Sequence, residues 1–229
     1  MKIERYAHMN LDWEFIVESL PLYGEAMWLT LKIAFFAILF SLVVGLLCST
    51  VLYYKVRGIS GIVVAYIELS RNTPLLVQLY FLYYGFTKIG LHMSEMTCAI
   101  VGMTFLGGGY MAEAFRGGME AVSKTQTESG LSLGLSKIQL ARYVILPQAF
   151  AISVPSLGAN AIFLLKETSI VGAIALLDLM NVAKDLIGMY YKTTESLILL
   201  VLAYLVLLLP LSILLTWVER KVRYAEFGD

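Results

Sequence analysis

The sequence predicts an all-α integral membrane protein with about five transmembrane helices, and three observations carry that prediction. The 229 residues are 59% hydrophobic and only 15% charged, with a mean hydropathy of +0.77, more apolar surface than a water-soluble domain of this size can hide. The apolar residues fall in runs close to the ~20 residues that a bilayer crossing needs. Those runs use up the length, so any soluble domain that hydrolyses nucleotide or captures ligand is expected on another chain. The 17 basic and 17 acidic residues cancel, which argues against nucleic acid as a partner.

Residues 1–25 carry Glu4, Asp12, Glu14, Glu18 and Glu25 against Lys2 and Arg5. They lack the basic start and apolar core of a secretory signal and are expected to form an extracytoplasmic segment. The first span covers about 26–54 and is broken only by Lys32, whose long stem can snorkel to the interface. The second, about 62–87, is apolar apart from Glu68 and Arg71 and contains Pro74, a residue that disfavours helix interiors. The third, 96–114, holds Gly107, Gly108 and Gly109 in a row, which let helices approach closely in lipid or let one bend. The fourth, 147–165, opens at Pro147, read as a helix start, and carries Pro155, read as a kink. Beyond Lys166 and Glu167, residues 168–177 are too few to cross and are read as a buried or interfacial piece. The fifth span, 196–218, is free of charge, and 220–229 form a cytoplasmic tail. Trp28, Tyr53, Tyr54, Tyr83, Tyr84 and Trp217 sit near span ends and are read as interfacial anchors. Cys48 and Cys98 lie in apolar runs as small core residues, and the isolated His8 and His92 carry no ligand role.

Five crossings put the termini on opposite sides, and basic residues choose between the two orientations. With the N-terminus outside and the C-terminus in the cytoplasm, Lys55, Arg57, Arg116, Lys124, Lys137, Arg142, Arg220, Lys221 and Arg223 lie inside, against Lys2, Arg5, Lys88, Lys184 and Lys192 outside. Residues 116–146 then form the principal cytoplasmic loop. Within it Leu131, Leu135 and Ile138 fall at i, i+4 and i+7, the stripe of a short amphipathic helix. Periodicity leaves two readings open: a helix resting on lipid, or a docking surface for a cytoplasmic partner.

The loop also carries a motif. Glu128, Ser129 and Gly130 are followed by Gly134 and, after nine residues, by Val144, Ile145, Leu146 and Pro147. The run resembles the EAA loop of ABC importer permeases, in which Glu-Ala-Ala is followed at the same spacing by Gly and Ile-x-Leu-Pro. Three more stretches resemble the polar amino-acid branch of that family: RNTPLLVQ at 71–78, YMAEAFRGG at 110–118 and KETS at 166–169. The resemblance implies a type I ABC importer permease fold and a coupling surface made by Glu128, Ser129, Gly130, Gly134, Leu135, Ile138, Leu146 and Pro147. Small residues beside Glu128 would allow close approach, and Gly134 would permit a turn between two short helices. It further implies two partner ATPase subunits that hold ATP and Mg, none of it in this chain. A second permease subunit, identical or paralogous, and an extracytoplasmic amino-acid-binding protein complete the expected assembly in a bacterial cytoplasmic membrane. The three consecutive glycines depart from the Ala or Ser expected in the family's third span.

Ionisable residues inside a membrane are costly unless paired. Arg71 lies three residues from Glu68, and Glu113 three from Arg116, spacings that put partners on one helix face. Lys166, Glu167, Thr168 and Ser169 stand where the fourth span passes into sequence that does not look helical, and irregular backbone at membrane depth is tolerated only in protein or at a cavity. The candidate substrate pathway is therefore Arg71, Asn72, Thr73, Glu113, Lys166, Glu167, Thr168 and Ser169. No phosphate-binding loop, zinc-binding HExxH or nucleophile elbow is present in the sequence, so no catalytic or metal-ligating residue is assigned. Two other classes compete: a secondary transporter or channel driven by an ion gradient, and a membrane enzyme, for which the clustered His, Asp or Cys are missing.

Overall fold

A computed structural model describes residues 11–227; what the sequence suggests for 1–10, His8 among them, and for 228–229 lies outside the described residues. The described chain is helical from end to end. Helix α1 (Trp13–Tyr53) is followed by α2 (Ser60–Asn72), α3 (Leu75–Tyr80), α4 (Phe86–Lys88), α5 (Glu95–Ala121), α6 (Lys124–Ser132), α7 (Lys137–Leu140), α8 (Leu146–Glu167), α9 (Leu179–Tyr190) and α10 (Thr193–Phe227). Single π-helical turns join α3 to α4 and α7 to α8, and a 3-10 segment (Thr168–Ile174) follows α8. Four stretches are long and apolar enough to cross a membrane: Trp13–Tyr53, Glu95–Ala121, Lys137–Ile174 and Thr193–Val222.

The helix of the first span begins at Trp13, well before residue 26. Its N-cap Asp12 accepts the Phe15 amide, so the acidic stretch read as a segment preceding the first span is locally a helix start. The extension has somewhere to pack. Tyr23 donates its hydroxyl to the Ser196 carbonyl at 2.7 Å, Phe15 meets Tyr190 edge to face, and Lys192 bridges to Asp12 at 2.9 Å. Lys192 holds the Asp12 carboxyl below the usual carboxylate range and is itself held protonated to higher pH. At 41 residues, α1 is about 60 Å long, twice the ~30 Å hydrocarbon thickness.

Where the second span is expected, the chain forms a broken helix, no piece of which is long enough to cross a membrane alone. Thr73 is extended, as a residue before proline prefers, and Pro74 restarts the chain into α3. Helix α2 crosses α5 near Phe105–Glu113: Tyr66 donates to the Phe105 carbonyl at 2.9 Å, and Arg71 reaches Glu113. From there α3 and α4 run back along α5, through Leu79 in the cluster with Cys98, Ala99 and Met103, to Tyr83 on Glu95.

Helix α5 is the centre of the bundle. Gly107, Gly108 and Gly109 are buried inside a continuous helix, and together they admit three neighbours. A Cβ on Gly107 would stand against Ser41 of α1 and 2.6 Å from Leu164 of α8, one on Gly108 against Tyr66 of α2 and 2.8 Å from Val44 of α1, and one on Gly109 against Ser70 and Arg71 of α2. The triplet acts by close approach and not by bending. Pro155 lies inside α8, which continues helical past it. Pro147 does occupy the first turn of α8, yet the helix runs on from α7 through the π turn. The 168–177 piece is a 3-10 turn anchored by buried Thr168, Val171 and Ile174. The short α9 then lays Leu179, Val182, Ala183 and Leu186 against α1 and α10.

Overpacking a tight core costs about 1–3 kcal/mol. Gly108→Leu should therefore lower the thermal midpoint of the purified protein in lipid nanodiscs, whereas Gly117→Ala on the same helix, with nothing within 4 Å of its Cβ position, should leave it unchanged or raise it.

Candidate functional site

Two regions gather the polar side chains of the bundle. The first surrounds the break in α2–α3. In an unbroken helix the Ser70 carbonyl would take the N–H of residue 74, but Pro74 has none. The Gln78 side chain supplies the missing donor: its Nε2 reaches the Ser70 carbonyl at 3.0 Å, the Thr73 carbonyl at 3.0 Å and Thr73 Oγ1 at 3.2 Å. Asn72 turns back to Glu68, donating to its carbonyl and to its carboxylate at 2.9 Å, and the Thr73 hydroxyl donates to the Leu69 carbonyl. Asn72 and Thr73 thus close the end of α2.

The expected Arg71–Glu68 pair is not formed. Glu68 is taken by Asn72, and Arg71 lies over the Tyr110 ring, 5.3 Å from its centroid, with Nη1 3.9 Å from Glu113. The Glu113–Arg116 pair is formed at 2.7 Å, and Arg116 continues to Glu120 at 2.8 Å. A ladder of alternating charge therefore follows one face of α5, with Asn160 of α8 donating to the Tyr110 carbonyl behind it. Arg71, Glu113 and Arg116 remain about one-third exposed. Such groups at membrane depth face a partner subunit or a watery cavity, not lipid.

The KETS run does not join that ladder. Lys166 and Glu167 finish α8, Thr168 is buried with its hydroxyl on the Leu165 carbonyl, and the segment that follows is helical of the tighter 3-10 kind. Ser169 lines a separate cavity of about 490 Å³ between α3, the 3-10 turn and α9, together with Tyr80, Asp178, Asn181 and Lys184. Asp178 is fully buried as the N-cap of α9, accepting the Met180 and Asn181 amides. Sequence reasoning missed Gln78, Tyr110, Asp178, Asn181 and Lys184. Only Gln78 carried a usable signal, being a lone amide in an apolar run one turn beyond a proline.

The 116–146 loop is two helices and not one. Gly134 sits at φ +81°, its N–H donates to the Leu131 carbonyl and that of Leu135 to the Gly130 carbonyl, the paired bonds of a Schellman ending. Ser136 and Gln139 then cap α7 reciprocally. The Leu131, Leu135, Ile138 stripe is split by this turn: Leu135 tucks in half-buried, while Leu133 and Ile138 stand 82% and 80% exposed. Gly130 is buried under Leu140, where a Cβ would meet the leucine at 2.5 Å, and Glu128 and Ser129 lie open on α6. Leu140, Met119, Val122, Ile145 and Ala149 share one small core, so the turn rests on the ends of α5 and α8. Leu146 and Pro147 begin α8 immediately above it.

Residues 37–224 match the family model described as "Binding-protein-dependent transport system inner membrane component". The chain belongs to this family. It is 33% identical to the probable amino-acid permease protein YxeN of Bacillus subtilis (strain 168), covering 93% of this chain and 96% of that one. It is 31% identical to the glutamine transport system permease protein GlnP of Escherichia coli (strain K12), covering 94% and 99%. Among solved structures, an amino acid ABC transporter crystallised with histidines aligns with a TM-score of 0.86 at 33% identity, over 93% of this chain and all of that one. The inward-facing MetNI methionine ABC transporter shares the fold, with a TM-score of 0.74 at 21% identity over 90% of this chain and 98% of that one. The family is an inner-membrane, multi-pass component of transporters that also use a binding protein and an ATPase, and the ATPase lies in the partner subunit.

Removing a donor from a buried pair of carbonyls costs about 1–3 kcal/mol. Gln78→Glu, which keeps the shape but donates nothing when ionised, should lower the thermal midpoint in nanodiscs more than Gln78→Asn, whose amide can still reach one carbonyl.

Proposed function

We propose that this chain is the permease subunit of an ATP-driven importer of polar amino acids, working as one of two permeases with two ATPase subunits and an extracytoplasmic binding protein. ATP and Mg sit on the ATPases. The N-terminal end of α1 lies outside and the C-terminal end of α10 in the cytoplasm, so the α6–α7 turn faces the ATPase. The observation that carries this reading is that turn: a rigid, doubly bonded bend at Gly134 that presents Leu133 and Ile138 to solvent beside Glu128 and Ser129. The same bend is seated on the ends of two crossing helices.

Its mechanics follow from continuity. Helix α7, the π turn, α8 and the 3-10 segment form an uninterrupted helical rod from Lys137 to Ile174. Displacement of the turn on ATP binding is passed along that rod without a loop to absorb it. The rod carries Asn160 against the Tyr110 backbone beside the charge ladder, and its last, 3-10 segment places Ser169 at the second cavity. Rocking the rod against α5 would alternately open the two polar regions to the two sides. A substrate bearing both an ammonium and a carboxylate suits a path of opposite charges without a strong net field, here Arg71 and Arg116 with Glu113 and Glu120, then Ser169, Asp178 and Lys184. Lys166 and Glu167 are the last residues of α8 before the 3-10 turn.

Reconstituted with its ATPase and binding protein in proteoliposomes, the chain should take up labelled polar amino acids only with ATP inside and binding protein outside. Uptake on an ion gradient without ATP would instead establish a secondary transporter. In the same system Gly134→Asp, which puts a charged side chain on the turn at a left-handed position that Asp and Asn can both adopt, should cut uptake about tenfold per ATP hydrolysed while the protein remains in the membrane. Gly134→Asn, which tolerates that conformation and adds no charge, should be milder. Unchanged uptake in Gly134→Asp would exclude the turn as the coupling surface.

A further inference from the structure

On the side of α8 away from the charge ladder, α1, α8 and α10 leave an open groove of about 430 Å³ whose lining is apolar throughout. It runs from Phe35 of α1 and Ala161 of α8 down to Phe150 of α8 and Val218 of α10, with Met111 of α5 in its floor. Three features describe its occupant. The eleven residue steps from Phe150 to Ala161 rise about 17 Å, the depth of one leaflet of a ~30 Å hydrocarbon core. Gly158 lies in the groove without the fold needing a glycine there: its backbone is helical, and a Cβ would meet only Leu215, at an ordinary 3.7 Å. The missing side chain serves to widen the groove. Finally, a basic residue stands near the end closer to the α6–α7 turn: Lys221, one turn of α10 beyond Val218. Lys221 Nζ stands 4.9 Å over the exposed Trp217 ring, at the level where lipid headgroups begin.

We propose that this groove binds an anionic phospholipid of the leaflet on the α6–α7 side, one acyl chain lying along Gly158 and the phosphate on Lys221. The groove borders α8, the rod that carries motion from the turn, so a chain seated there packs directly on a moving part. A zwitterionic lipid would fill the same walls but gain less from the lysine, because a basic residue near the surface favours an anionic headgroup by about fivefold.

The test uses the assembled transporter in nanodiscs containing phosphatidylcholine with a minor share of phosphatidylglycerol that carries a photoreactive group on its acyl chain. Labelled peptides are mapped, with the lipid-exposed Trp28 face of α1 as the measure of bulk contact. Labelling is expected to concentrate on 150–161 and 211–218. Gly158→Leu, which takes the room of one or two methylenes, should reduce it about fivefold to tenfold, and Lys221→Gln, at an exposed position that does not bear on folding, should reduce it about fivefold when the photoreactive lipid is anionic but not when it is phosphatidylcholine. Labelling no denser in the groove than on the Trp28 face, or indifferent to Lys221→Gln, would overturn the proposal. So would efficient disulfide cross-linking between two copies of Gly158→Cys, which would make the occupant a second permease and not a lipid.

Discussion

The arrangement of this protein depends on how closely other helices can come to α5. In lipid there is little hydrophobic drive between helices, so contact must come from packing, and three consecutive glycines remove side-chain bulk on three sides of one helix turn. Because successive residues point about 100° apart, Gly107 lies against α1 and α8, Gly108 against α1 and α2, and Gly109 against α2. One turn of α5 thereby fixes the position of three neighbours. The cluster beneath the α6–α7 turn and the ion ladder on the same helix are placed by that packing: Gly109 brings α2 close enough for Arg71 to reach Tyr110 and Glu113.

A second constraint is that backbone polar groups at membrane depth must be satisfied within the protein. The chain breaks its helical ladder at Pro74, and a side chain four residues on, Gln78, repairs it. Across α3 from that break, the α8 ladder tightens into a 3-10 turn and is not abandoned. Both irregular places border cavities, the α2–α3 break an apolar one against α5 and the 3-10 turn the polar one containing Ser169. At the 3-10 turn helix irregularity, polar side chains and open space coincide.

In the proposed mechanism force and substrate meet in one element. The exposed bend at Gly134 rests on the C-terminal end of α5 and the N-terminal end of α8, and α8 continues to the polar cavity without an intervening loop. The groove on the opposite side of α8 is apolar, so the rod is polar where it borders the ladder and greasy where it meets lipid. A helix with two such unlike faces can slide against lipid while keeping a hydrated face turned inward.

The sequence by itself determined the class of the protein and most of what lies along one helix at a time. Hydropathy runs give crossings because span length is a property of consecutive residues, the Glu113–Arg116 pair is legible because its spacing is local, and Gly134 is legible as a turn because glycine's freedom is intrinsic to the residue. Where a local period met a local breaker it misled: Leu131, Leu135 and Ile138 keep helical spacing across a bend that places them on different surfaces. Tertiary structure alone decided the rest. Arg71 pairs with Glu113, forty-two positions away, and not with Glu68, because α2 is drawn across α5 and Asn72 already holds Glu68. The acidic stretch before residue 26 is helical because α9 and α10 offer Tyr190, Lys192 and Ser196 to pack and bond with. The cavity of Asp178, Asn181 and Lys184 exists because a 3-10 turn brings α9 opposite α3. Partners so distant in sequence leave no periodic trace, since their energies depend on distances that only the packed bundle sets.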